Sequence, residues 1–221
     1  MSENATDRLA AVEAEIAKAC KIARREPEDV SLIAISKTHP AGAIAPLLDA
    51  GQRVFGENRV QEAEGKWLQL REETPGVELH LVGQLQSNKA DDAVALFDCI
   101  HSLDRPSLVK ALAKAFDKAD KQVPCFVQVN IGDEDQKGGC AIKDLPDLLS
   151  QARDADIPLA GLMCVPPFGI EAAPYFALMA KLADDHGLEG RSMGMSGDFE
   201  TAIMLGATHI RVGTALFGER G

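Results

Sequence analysis

No stretch of the 221-residue chain approaches the ~20 consecutive apolar residues that a membrane-spanning helix needs. The start, Met1 to Asp7, is polar and acidic and lacks the basic-then-apolar order of an export signal, so a cytoplasmic protein is expected. Cys20, Cys99, Cys125, Cys140 and Cys164 form no C-x-x-C pair, which argues against structural zinc and a redox dithiol and leaves small core residues or free thiols. His39, His80, His101, His186 and His209 show no H-E-x-x-H or other ligand spacing, so no metal site is expected. Positive charge is also scarce. With 23 basic against 34 acidic side chains the net charge is −11, a field that repels polyanions and disfavours nucleic acid and anionic membrane surfaces. Linkers and low-complexity tracts are lacking as well.

What the chain does have is core-forming material, 46% hydrophobic residues with 26% charged, in a length that suits one domain. Short apolar strands alternate with amphipathic helices. A leading helix carries Leu9, Val12, Ile16, Ala19 and Ala23 on one stripe. Strands are predicted at Ser31 to Ser36, Arg53 to Gly56, Leu79 to Val82, Asp98 to Ser102, Pro124 to Asn130, Leu159 to Cys164, Ser192 to Met195 and His209 to Gly213. Helices are predicted at Ala43 to Ala50, Asn58 to Arg71, from Ser87, Pro106 to Ala119, Lys143 to Ala155, Ala172 to Asp185 and Phe199 to Leu205, with a final turn from Thr214. This α/β pattern favours a single closed (β/α)8 TIM barrel with an extra N-terminal helix over residues 1–221. The second and seventh strands are weak, which keeps an open doubly wound sheet as the alternative.

In a parallel barrel the chemistry gathers where strands end and βα loops begin. The first strand ends at Ser36-Lys37-Thr38-His39, so Lys37 is either a solvated surface charge or an amine that attacks a carbonyl. The loops after strands seven and eight, where such barrels usually hold phosphate, contain Gly194, Ser196 and Gly197, then Gly213 and Thr214. Alternation gives Arg211 the same facing as His209 and Gly213, toward either the lumen near its mouth or the outer helices, and in both places a permanent cation calls for a partner, of which a ligand is one. Glu57 and Asn58, and Ser102 with Asp104, read slightly better as helix caps than as site residues. Gln84 to Lys89 and Asn130 are further polar strand ends, and Lys89 reads equally as a surface charge.

Taken together, Ala34-Ile-Ser-Lys-Thr38, Phe55-Gly-Glu-Asn58, Leu85-Gln-Ser-Asn-Lys89, Ile100-His-Ser102, Gln128-Val-Asn130, Ser192-Met-Gly-Met-Ser196 and Arg211-Val-Gly-Thr-Ala215 resemble the YggS/PROSC family of pyridoxal phosphate homeostasis proteins. Their fold is similar to the barrel domain of alanine racemase, fold type III among pyridoxal 5′-phosphate (PLP) proteins. The resemblance implies that Lys37 carries the PLP cofactor as a Schiff base and that Ser196, Gly213 and Thr214 hold its phosphate. It further implies that Arg211 faces the pyridine nitrogen and Asn58 lines the ring. His39 stands where lysine is often found, Arg59 where an aromatic is frequent, Gln84 where proline or histidine is usual, and Gly197 where an acid is common.

An arginine against the pyridine nitrogen leaves it largely unprotonated, a weaker electron sink than a carboxylate partner gives. The similar racemases take a second base, a tyrosine, from a further domain of a partner subunit. Here the sequence ends at Gly221, directly after the eighth strand, and the one tyrosine, Tyr175, falls in a predicted helix. The expectation is therefore a monomeric PLP carrier without racemase turnover, with apo PLP-dependent enzymes as recipients. The alternatives are a low-activity amino acid racemase, a Schiff-base aldolase acting on a sugar phosphate, and a regulatory module that senses PLP.

Overall fold

A computed structural model describes residues 4–218. The first three residues of the polar start and the end at Gly221 lie outside them.

The helix α1 (Ala5–Ala23) opens the chain, with Asn4 as its cap: the Asn4 Oδ1 accepts the Asp7 N–H at 2.8 Å. Strand and helix then alternate as β1 (Ser31–Ile35), α2 (Ala41–Asp49), β2 (Val54–Glu57), α3 (Val60–Glu73), β3 (Glu78–Leu81) and α4 (Ala90–Leu96). The second half continues with β4 (Cys99–Leu103), α5 (Pro106–Ala119), β5 (Cys125–Val129), α6 (Leu145–Asp154) and β6 (Leu159–Cys164). It closes with α7 (Ala173–Asp185), β7 (Gly190–Met195), α8 (Phe199–Met204), β8 (His209–Val212) and α9 (Thr214–Phe217). All strands are parallel and pair in chain order, and β8 returns to β1 to close the barrel, with Ser31 opposite His209 and Ile33 opposite Arg211.

The closed barrel with an additional leading helix is as expected, and the open sheet is excluded by the β1–β8 pairing. Boundaries shift by a residue or two at several elements, and two of the shifts have a clear cause. The helix α3 begins at Val60 rather than Asn58, because β2 runs on through Glu57. The seventh strand begins at Gly190, where two glycines without side chains, Gly161 and Gly190, let β6 and β7 close up; a Cβ on Gly161 would sit 2.0 Å from the Gly190 carbonyl oxygen.

Each strand turns one set of side chains to the helices and the other to the lumen. The outward set, including Phe55, Leu79, Leu81, Ile100, Val127, Ile210 and Val212, merges with the helix stripes in one large apolar core. Cys99, Phe126 and Met163 form a separate cluster inside the barrel. The stripe of α1 is buried through Leu9, Val12, Ile16, Ala19 and Cys20. Arg8 donates to the Leu216 carbonyl at 2.6 Å and Arg25 to that of Ala207 at 2.7 Å, so α1 clasps the segments around α8 and α9. All five cysteines are free and buried, and burial pushes Cys125, Cys140 and Cys164 up to about 12, consistent with core residues. Among the described residues no helix is long and apolar enough to cross a membrane.

Candidate functional site

Lys37 continues the inward alternation of Ile33 and Ile35, and so emerges at the mouth of the barrel. It occupies a tight turn closed by the His39 N–H on the Ser36 carbonyl at 3.1 Å. Thr38, next in this turn, has φ 65°, a left-handed conformation that is strained for a β-branched residue.

A buried polar cluster outside the barrel wall holds that turn. The Lys66 ammonium, on α3, donates to the carbonyls of Ser36 at 2.8 Å and His39 at 3.1 Å, and pairs with Glu57 at 2.8 Å and Glu62 at 3.0 Å. Glu62 accepts the Thr38 N–H; although burial raises its pKa, that bond and Lys66 hold its carboxyl below the usual carboxylate value. Glu57 is fully buried and accepts the Ser36 hydroxyl and, at 2.9 Å, the Trp67 indole N–H. It is not a helix cap: α3 is flanked by Arg59, which makes no side-chain capping bond.

Across the mouth, Gly194 turns the chain after β7 with φ 94°, and a Cβ there would lie 2.6 Å from that of Ala202. Asp198 Oδ1 accepts the Met195 N–H at 2.6 Å and closes the loop. Ser196 Oγ then accepts the Gly213 N–H at 3.3 Å, joining the β7 and β8 loops. A cavity of about 300 Å³ lies between the two sides, lined by Ile35, Lys37, His39, Met195, Ser196, Gly197, Arg211, Gly213 and Thr214 among others. The His39 ring stacks on Phe217 at 4.3 Å and forms part of the rim.

Arg211 is 5% exposed on the cavity floor. Its guanidinium donates to Ser192 Oγ at 2.6 Å and to the Cys164 carbonyl at 2.7 Å. No carboxylate of the described residues lies within 4.0 Å of it, so this buried cation has no ion-pair partner and feels an anion, Asp198, only from farther away.

Five of the residues picked out in the sequence, Lys37, Ser196, Arg211, Gly213 and Thr214, therefore share one cavity. Asn58 does not line it; its backbone packs against Gly83, where a Cβ would be 2.2 Å from the Asn58 carbonyl oxygen. Ser102 and Asp104 are not caps of α5. Ser102 is buried with an unpartnered hydroxyl, and Asp104 accepts from Arg105 at 2.6 Å and from the Gly139 N–H at 3.4 Å. Asn130 bridges its own loop through Glu134, Gln84 donates to Gln128, and Lys89 pairs with Asp92 at 3.0 Å. Sequence reasoning missed Lys66 and Glu62, although their i,i+4 spacing on α3 was a usable signal of a pair. It also missed the gathering of His80, Cys99 and His101, whose ligating atoms lie within 4.8 Å of one another, because they come from neighbouring strands.

Residues 8–221 match the family model of the alanine racemase N-terminal domain. A pyridoxal phosphate homeostasis protein of Pseudomonas aeruginosa is 40% identical over 220 residues, covering 97% of this chain and 95% of that protein. The chain belongs to the pyridoxal phosphate homeostasis protein family. Its barrel superposes on the structure of PipY from Synechococcus elongatus PCC7942 without PLP at a TM-score of 0.84, with 39% identity over 96% of this chain and 99% of that one. With PLP bound, PipY gives 0.82 at 39% identity over 92% and 100%. Alanine racemase of Clostridium difficile 630, at 14% identity and a TM-score of 0.71 over 97% of this chain and 57% of that one, shares the fold.

Proposed function

We propose that this protein, a single-domain monomer of the cytoplasm, binds pyridoxal 5′-phosphate in the cavity at the barrel mouth and acts in its homeostasis. The observation that carries this is the convergence of an amine, a buried cation without an ion-pair partner and two hydroxyl-bearing loops in about 300 Å³. These residues fit the ligand. Lys37 would supply the amine for a Schiff base with the aldehyde, Arg211 would face the pyridine nitrogen, and Ser196, Thr214 and the Gly213 backbone would hold the phosphate. PLP when bound supplies an electrophilic aldehyde that exchanges between amines. The PLP-bound PipY structure, at 39% identity, supports the same ligand here.

Release to apo PLP-dependent enzymes, rather than turnover of an amino acid, is the reading we adopt. Tyr175, the chain's one tyrosine, packs partly buried against the core from α7 and is not among the cavity lining, so it is not placed as the opposing phenolic base of a racemase. Protein mixed with PLP and then freed of unbound ligand by gel filtration should retain a visible band, and borohydride should fix the ligand on Lys37; Lys37→Ala should do neither. A band that survives in Lys37→Ala, or no band in the native protein, overturns the proposal. Exchange of the α-deuterium of alanine by the native protein but not by Lys37→Ala would replace carriage with racemase chemistry.

A further inference from the structure

Beneath the cavity the lumen holds a hydrogen-bonded file that PLP binding does not by itself require. Arg211 Nη1 donates to Ser192 Oγ at 2.6 Å. A guanidinium has no acceptor atom, so the direction of that bond is fixed. Ser192 is fully buried, and its other polar neighbour is Nδ1 of His101 at 2.9 Å. If the imidazole donated here, the serine proton would face a lumen in which the described residues offer it no other acceptor, at the cost of an unmade buried hydrogen bond. The hydroxyl therefore donates to His101 Nδ1. A neutral ring that accepts at Nδ1 carries its proton on Nε2, which donates to His80 Nδ1 at 3.0 Å. By the same logic the His80 proton sits on Nε2, which comes within 3.7 Å of the Glu78 carboxylate at the opposite end of the barrel.

We propose that Ser192, His101 and His80 form a one-way donor file that positions Arg211. The file rests on the reading above only in that Arg211 faces the ligand. Because Arg211 cannot accept, the file cannot reverse and cannot pass a proton to the cavity; it orients the guanidinium and keeps every member but Arg211 uncharged. The surroundings agree. His101 stacks on Phe126 at 4.4 Å and faces His80, His209 and Arg211, while His80 faces His209, Asp98 and Glu78. Burial above all holds both rings uncharged, His80 down to about 4; a charge on one would also repel a charge on the other or on His209, and the Arg211 cation adds to this at His101. Cys99 lies beside the two rings, but the nitrogens that face each other already share a proton between them.

The first test needs no ligand. Long-range nitrogen–proton correlation spectra of the imidazoles at pH 7 should show His80 and His101 as neutral Nε2–H tautomers. A Nδ1–H tautomer or a cationic ring at either position overturns the file, as does one equivalent of zinc retained on gel filtration with both ring signals displaced. The second test uses PLP. Ser192→Ala and His101→Leu should release PLP about tenfold faster, the effect of one hydrogen bond to a charged group, and should move the pH midpoint of the visible band. His101→Gln keeps an acceptor and a donor and should stay near native behaviour. Unchanged release and midpoint in Ser192→Ala overturn the file, whereas a native protein with no Lys37-dependent band overturns the binding reading and leaves the tautomers to decide the file.

Discussion

The two faces of the barrel wall are equally buried and chemically opposite. Outward, β2, β3, β4 and β8 present Phe55, Leu79, Leu81, Ile100, Ile210 and Val212 to the helices, a layer held by contact and exclusion of water. Inward, the same strands present Gly56, His80, His101, His209 and Arg211, all but His209 buried, joined by directional bonds and ring contacts. Burial alone therefore says little about which residues do chemistry. The outer face tolerates any apolar side chain of similar volume, whereas the inner face depends on each donor meeting one acceptor.

The contrast fails inside the barrel at the apolar cluster of Cys99, Phe126 and Met163, and in the outer layer behind the Lys37 turn, where Glu57 and Lys66 put charge among apolar side chains. Lys66→Met should be the most damaging change. It leaves the Glu57 carboxylate buried without its cation and frees the strained turn, so a loss of about 3–5 kcal/mol is expected in urea denaturation. An effect under about 1 kcal/mol would mean that this cluster is as replaceable as its apolar surroundings.

Acid should separate the two faces next. The apolar layer does not titrate, but the folded pKa values of His80 and His209 lie near 4 against the usual 6.5. Between those limits the unfolded chain binds protons that the folded lumen refuses, so stability falls as pH is lowered, by roughly 3 kcal/mol for each ring once pH 4 is reached. Above pH 6.5 both states are neutral and these rings contribute no pH dependence. Denaturation midpoints at successive pH values should show a slope that diminishes in His209→Gln; the same slope in that variant would break the assignment.

The smallest effect belongs to the turn itself. Thr38→Gly relieves a left-handed φ of 65° while keeping the N–H that Glu62 accepts, and should stabilise by about 1 kcal/mol after the added freedom of the unfolded chain is counted. The PLP band should persist, because the Lys37 side chain is untouched. A destabilised variant would show that the threonine side chain makes a contribution larger than its strain.

How much of this was legible follows the same division. Strand alternation and the number of βα units gave the barrel, the end of the first strand gave Lys37 its place at the mouth, and period two put Arg211 on one face with His209 and Gly213 without saying that this face is the inner one. The loops after β7 and β8 were recognisable as small and hydroxyl-bearing. Glu57 was misread because a carboxylate one residue before a helix looks like a cap, and only the packing of Trp67 and Lys66 over it makes it a buried anchor. Asn58 was placed at the ring by resemblance; its backbone packs on Gly83, and it is not among the residues that line the cavity.

The sequence by itself determined which residues of a strand share a face, where the amine lies and which loops can hold an anion, because those depend on local period and on neighbours in the chain. Only the tertiary structure decided which face is the inner one and what its residues do to one another. His80 meets His101 across 21 positions and His101 meets Ser192 across 91, through the register of separate strands. A hydrogen bond needs its two atoms within about 3 Å, and that proximity is a property of the closed barrel, not of any segment of it.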